Sequence, residues 1–230
     1  MKNYAVIGAS SGIGKAIKDQ LLAEGHNVYA TYLNNNVPSE ANLSKKQIDV
    51  RSEFTLDLSF NQLDGLVYCP GAINLKPFAR ISADQFIADY ELQCVGAVKC
   101  IQQALPLLKK SEDASIVLFS TVAVQKGFNF HSLVSSSKGA VEGLTRALAA
   151  EFAPKIRVNA IAPSLTDTPL AEKMLNSDAK REANDQRHPL KRVGTVTDIA
   201  DAAHFLLSNK SSWVSGQVFH IDGGMSSIKL

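Results

Sequence analysis

The sequence predicts a single-domain α/β chain organised around a glycine-rich turn near its start, and three observations carry that prediction. An apolar run of strand length, Tyr4 to Ile7, enters a turn with glycines at 8, 12 and 14, and an apolar-periodic helix follows through Ile13, Ala16, Ile17, Leu21 and Leu22. Short apolar runs of the kind buried on both faces of a sheet recur at Gly65 to Ala72 and Ala114 to Ser120. With 230 residues, of which 45% are hydrophobic, the chain can bury one substantial core, so residues 1–230 are expected to form one domain.

Composition narrows the function. A net charge of +2 with no basic block argues against a nucleic-acid partner. Cys69, Cys94 and Cys100 form no C-x-x-C pair, so neither a disulfide framework nor a metal site is expected. The chain runs directly into its first strand and has no apolar run of membrane-spanning length; it reads as cytoplasmic, with a small-molecule substrate and no membrane partner.

The first turn explains why a nucleotide is expected. Glycine permits backbone angles that other residues resist, and its missing Cβ lets a phosphate approach the main chain. The helix start adds unpaired N–H groups and a positive dipole end. Ser10 and Ser11 can add hydroxyl donors. The spacing G-x-x-x-G-x-G differs from the G-x-G-x-x-G of the ordinary dinucleotide fold and resembles the cofactor turn of the short-chain dehydrogenase/reductase family. The resemblance extends from Tyr4 to Met225. It implies a Rossmann-type, doubly wound parallel sheet with helices on both faces, and a nicotinamide cofactor at Gly8, Ser10, Ser11, Gly12, Ile13 and Gly14.

Glu24 to Asn27 ends the first helix, and Val28 to Tyr32 reads as the second strand. The resemblance puts Thr31 where an acidic residue would select NAD. No carboxylate stands there, so NADP(H) is expected over NAD(H), with Lys15 as the nearest basic residue. Gln47 to Val50 reads as the third strand, with Asp49 and Val50 beside the adenine by resemblance. Residues 51–64 are too few for a full crossover helix. At the end of the next strand Tyr68-Cys69-Pro70-Gly71 replaces the family's Asn-Asn-Ala-Gly, keeping only Gly71 as a cofactor residue. Ser82 to Lys110 reads as one long helix or two abutting ones, capped by Ser82 and bent or ended by Pro106. On it Gln93 occupies the family's active-site Asn position.

The catalytic residues depart further. Ser135 to Leu148 closely resembles the family's active-site helix and makes Lys138 its lysine. Four residues back, where the family has Tyr, stands Val134; thirteen before that, where it has Ser, stands Thr121. Carbonyl reduction needs a proton on oxygen, and general acid–base help is typically worth ~10² to 10⁴ in rate. Thr121 can donate a hydrogen bond and Lys138 can hold a ribose, but Val134 donates nothing, so ordinary ketone reduction is expected to be impaired. His131 is the speculative replacement donor.

Ile156 to Ala162 reads as the next strand. The turn after it supplies Pro163, Thr166 and Thr168 as nicotinamide contacts by resemblance, with Ser164 in place of the usual Gly. Residues 170–190 fit a substrate lid. His188 to Ala200 leads into the last helix, capped by Thr195 or Thr197, and Val214 to Gly224 holds the last strand, whose pairing in the family implies a homotetramer or homodimer. Three readings stay open: an oxidoreductase with a substituted acid; a cyclase, isomerase or dehydratase on the same scaffold; and a catalytically silent nucleotide-binding subunit.

Overall fold

A computed structural model describes residues 1–229. Seven parallel strands form one sheet in the order β3-β2-β1-β4-β5-β6-β7: β1 Asn3–Ile7, β2 Asn27–Tyr32, β3 Leu43–Gln47, β4 Gly65–Tyr68, β5 Ala114–Phe119, β6 Ile156–Pro163 and β7 Val218–Ile221. Alternation along the strands sends side chains to two cores. Tyr4, Val6, Val28, Val67 and Val117 pack on α1 (Gly12–Ala23) and α8 (Val196–Leu207) through Ile17, Leu21, Ile199 and Leu206. Ala5, Ile7, Leu66, Ile116 and Leu118 face α3 (Gly96–Leu108) and α5 (Ser132–Phe152) through Ala97, Ile101, Val141 and Phe152. Both faces are covered, which is why the strands read as unbroken apolar runs.

The third strand lies earlier than the expected Gln47 to Val50. Leu43–Gln47 pairs with β2 in the register Val28↔Leu43 to Tyr32↔Gln47. As the outermost strand it has one neighbour and tolerates the polar sequence Leu-Ser-Lys-Lys-Gln, so apolar patterning misses it. Ile48 and Val50 are buried just beyond its end. Residues 51–64 cross to β4 without a helix, and Leu56 and Leu63 insert into the core instead.

The long helical stretch is three joined pieces: α2 Ala83–Tyr90, a π-helical turn Glu91–Val95, and α3. Ser82 and Gln85 form a reciprocal capping box at its start, and Pro106 lies in its last turn, two residues before the end. In the π turn the Gly96 N–H reaches back to the Glu91 carbonyl. The Leu92 carbonyl then accepts a hydrogen bond from the Tyr68 hydroxyl. Tyr68, in the position of a family Asn, therefore serves the turn that carries Gln93.

Past β5, α4 is a single short turn, Val122–Gln125. The stretch 170–190 is largely helical, with α6 Glu172–Leu175 and α7 Asp178–Arg187. Thr195, not Thr197, caps α8, in a capping box with Asp198 that Arg192 reinforces. Among the described residues no helix is long and apolar enough to cross a membrane.

Candidate active site

A cleft of about 680 Å³ opens along the carboxyl ends of the strands, where ligands bind in open parallel sheets. Its first end is the glycine turn. Gly8 has φ +79°, and a Cβ on Gly14 would lie 2.2 Å from the Gly8 carbonyl oxygen, so the start of α1 can only close over the turn if residue 14 is glycine. Ser10, Ser11, Gly12 and Ile13 line the same end. Thr31 is also there, but its hydroxyl accepts from the Gly8 N–H at 3.0 Å. It shapes the turn, which leaves Tyr32, Leu33, Asn34 and Asn35 to line the wall beyond it.

Asp49 and Val50 line that wall together with a residue the sequence reading overlooked, Arg51. Arg51 grips Asp49 through Nε (3.0 Å) and Nη2 (2.7 Å), which holds the Asp49 carboxyl below its usual range. Lys15, the basic residue expected here, instead pairs with Asp19 at 2.6 Å and is absent from the cleft lining. Arg51 was obscured because it stands past the end of β3, in a connection with neither helix nor strand and no local pattern to mark it.

The middle of the cleft gathers Gly71, Gln93, Thr121, Val134 and Lys138. Lys138 is 8% exposed, and no side chain among the described residues hydrogen-bonds its ammonium. Burial pushes it down to about 8, opposed by the charge of Asp89. Asp89 lies one turn before Gln93 and is itself buried; the Gln93 Nε2 donates to its Oδ2 at 3.3 Å and to the Ala72 carbonyl at 3.1 Å. Gln93 Oε1 is buried without a partner among the described residues. A Cβ on Gly71 would come within 3.1 Å of that oxygen and 3.8 Å of Lys138 Nζ, so glycine keeps the space between amide and ammonium open.

Thr121 caps α4, its Oγ1 accepting from the Ala123 N–H at 3.3 Å, so its own proton is free to donate into the cleft. Val134 is buried one helical turn before Lys138 and faces the same cleft. Of the tyrosines only Tyr32 lines the cleft, at the far end beside Thr31. His131 lies on the wall with Nδ1 2.7 Å from the Asn129 carbonyl and its ring against Phe128.

The last wall is built by the turn after β6 and the 170–190 stretch. Pro163, Thr166 and Thr168 line it, and Thr168 sits across from Gly12, whose added Cβ would be 3.4 Å from Thr168 Cγ2. Ser164 and His188 meet here, Oγ to Nε2, at 2.8 Å. They are 24 residues apart, and no local pattern signals the contact. Phe128, Met174 and Met225 make this part of the cleft apolar.

Comparison with known proteins finds chains that share this sequence pattern and fold. A family model described as enoyl-(acyl carrier protein) reductase matches residues 8–226. The 3-oxoacyl-[acyl-carrier-protein] reductase of Staphylococcus aureus is 29% identical over 242 aligned positions, covering 97% of this chain and 98% of its own. A short-chain type dehydrogenase/reductase from Mycobacterium ulcerans superposes with TM-score 0.89 at 27% identity, over 98% of this chain and 90% of that one. ElxO, solved with NADP bound, superposes with TM-score 0.87 at 28% identity over 99% of both chains.

Proposed function

The chain belongs to the short-chain dehydrogenase/reductase family, whose members bind NAD(P), and on that premise we propose that it is an NADP(H)-dependent oxidoreductase interconverting a partly apolar carbonyl compound and its alcohol. The observation that carries the proposal is Lys138, buried, unpaired and in one continuous cleft with a turn that only glycines can form. When bound, the reduced nicotinamide supplies the hydride. The turn, with Ser10, Ser11 and the start of α1, receives the pyrophosphate. Lys138 holds the ribose hydroxyls, Pro163, Thr166 and Thr168 position the carboxamide, and Asp49 and Val50 border the adenine. Thr121 donates to the substrate oxygen. Residues 170–190 close over the apolar end and exclude water. The test is nucleotide consumption over a panel of ketones and β-keto esters, a choice guided by the 3-oxoacyl reductase relative.

Val134 is the observation that favours a second reading, a non-redox enzyme or a silent nucleotide-binding subunit on this scaffold. A non-redox enzyme forms product without consuming nucleotide, and a silent subunit does neither.

Arg51 supports NADP(H) over NAD(H). With Asn34 and Asn35 it offers donors to a 2′-phosphate, and that dianion competes with Asp49 for the guanidinium. A hydrogen bond to a charged group is worth about 1.5–3 kcal/mol, so Arg51→Ala is expected to weaken NADPH binding by about 10-fold or more. Binding of NADH, which lacks the phosphate, should barely change. Fluorescence titration of both nucleotides checks this; equal losses would place Arg51 elsewhere.

We place the molecule in a homotetramer or homodimer. β7 is an edge strand whose residues are only half-buried, and Trp213, shortly before it, is 98% exposed. An uncovered edge beside an exposed indole calls for a partner surface. Sedimentation should find an oligomer that Trp213→Asp shifts toward smaller species; a native monomer would refute it.

A further inference from the structure

We propose that Ser164 and His188 form a proton relay that serves the substrate oxygen in place of the tyrosine absent at residue 134, an inference resting on the oxidoreductase reading above.

His188 is 2% exposed and hydrogen-bonded at both ring nitrogens: Nδ1 lies 2.8 Å from the Asn184 carbonyl and Nε2 2.8 Å from Ser164 Oγ. A carbonyl only accepts, so Nδ1 carries a proton in either charge state. In the neutral ring Nε2 is the acceptor and the Ser164 hydroxyl points at it. In the imidazolium Nε2–H donates to Ser164 Oγ, and the hydroxyl proton is turned out into the cleft. Both states keep both hydrogen bonds, so the pair changes charge without stranding a buried polar group.

Position supports the role. β5 and β6 pair in the register Phe119↔Ile161, and the Ser120 N–H still donates to the Ile161 carbonyl at 2.7 Å. Two residues further on, Thr121 and Pro163 stand on adjacent strand ends, with Ser164 next in the chain. Thr121 and the relay thus approach one region of the cleft from neighbouring strands, and all three residues line it. The family's usual glycine at 164 has no hydroxyl, so this chain has added a donor where the relay needs one and lost a donor at 134.

The step balances. As hydride from the reduced nicotinamide reaches the carbonyl carbon, the carbonyl oxygen takes the Ser164 hydroxyl proton. Ser164 Oγ takes the Nε2 proton of the imidazolium, and neutral His188 regains one from water after product leaves. Oxidation of the alcohol runs the same transfers backwards. The charged residues nearest His188 in the chain, and Asp222 just past β7, have partners of their own. Asp185 accepts from the Val193 N–H, Arg187 donates to Asn184 Oδ1, Lys191 donates to the Gln186 carbonyl, and Asp222 accepts from the Gly224 and Ser226 N–H groups.

The test is a kinetic cycle: Ser164→Gly and His188→Gln, each made in the native protein and in Val134→Tyr, with NADPH titration and thermal unfolding alongside. Each substitution is expected to lower native kcat by about 10²-fold. In the Val134→Tyr background, where the phenol bypasses the relay, the same substitutions should change kcat by less than about 3-fold. Equal losses in both backgrounds would reveal a purely structural role and overturn the relay, as would an unchanged native kcat. If neither native protein nor Val134→Tyr consumes nucleotide while still binding it, the oxidoreductase reading itself falls.

Discussion

Val134→Tyr is expected to raise the kcat for simple ketones by about 10²-fold, the gap between a well-placed phenol worth up to ~10⁴ and a relay worth ~10². Residue 134 faces the cleft one turn before Lys138, so a phenol there lies within reach of an ammonium charge that favours phenolate. Thr121, two residues past the end of β5, then shares the substrate oxygen with it. Val134→Phe is the matched control: it adds the ring without the hydroxyl and should gain nothing. Steady-state rates of the three proteins on one ketone decide the matter. A native protein as fast as Val134→Tyr would show that proton delivery is not limiting.

Lys138→Met is expected to abolish turnover, by about 10²-fold or more, while making the protein more stable. The gap between the ordinary 10.5 and about 8, at about 1.4 kcal/mol per pH unit, corresponds to about 3 kcal/mol of destabilisation from keeping this ammonium buried. The penalty is complete below about pH 8, where folded and unfolded chains both carry the charge. Between about 8 and 10.5 the folded lysine is neutral while the unfolded one still holds its proton. The unfolded state then binds more protons, and stability rises with pH until the penalty is gone. Urea unfolding of the nucleotide-free protein should show Lys138→Met more stable by about 2–3 kcal/mol at pH 7, the difference shrinking toward pH 10. A less stable Met variant would mean that Asp89 depends on the ammonium more than the ammonium loses by burial.

The parts of this molecule legible in its sequence are those where local chemistry and structure coincide. The glycine turn shows because its backbone angles and close approaches restrict the residue type, as at Gly8 and Gly14. Val134 and Lys138 show because both lie on one helix at a spacing that shares a face. β3 did not show: an edge strand of Leu-Ser-Lys-Lys-Gln has neither apolar run nor alternation. Arg51, in the irregular connection past β3, did not show either, and attention fell on Lys15, whose partner is Asp19. Ser164 registered only as an altered turn residue, and His188 only as part of the approach to α8. Their contact depends on α7 returning to the end of β6, which no local pattern reports. Asp89 reads as an ordinary helical acid until the π turn and Gln93 place it near Lys138.

The most direct measurement of the central claim is the fate of the hydride. NADPH carrying deuterium at the transferable C4 position is incubated with native protein and a panel of ketones and β-keto esters, and the products are read by mass spectrometry. The account predicts an alcohol with one deuterium on its carbinol carbon for each nucleotide oxidised. Product without label, or nucleotide bound but unconsumed across the panel, would contradict it.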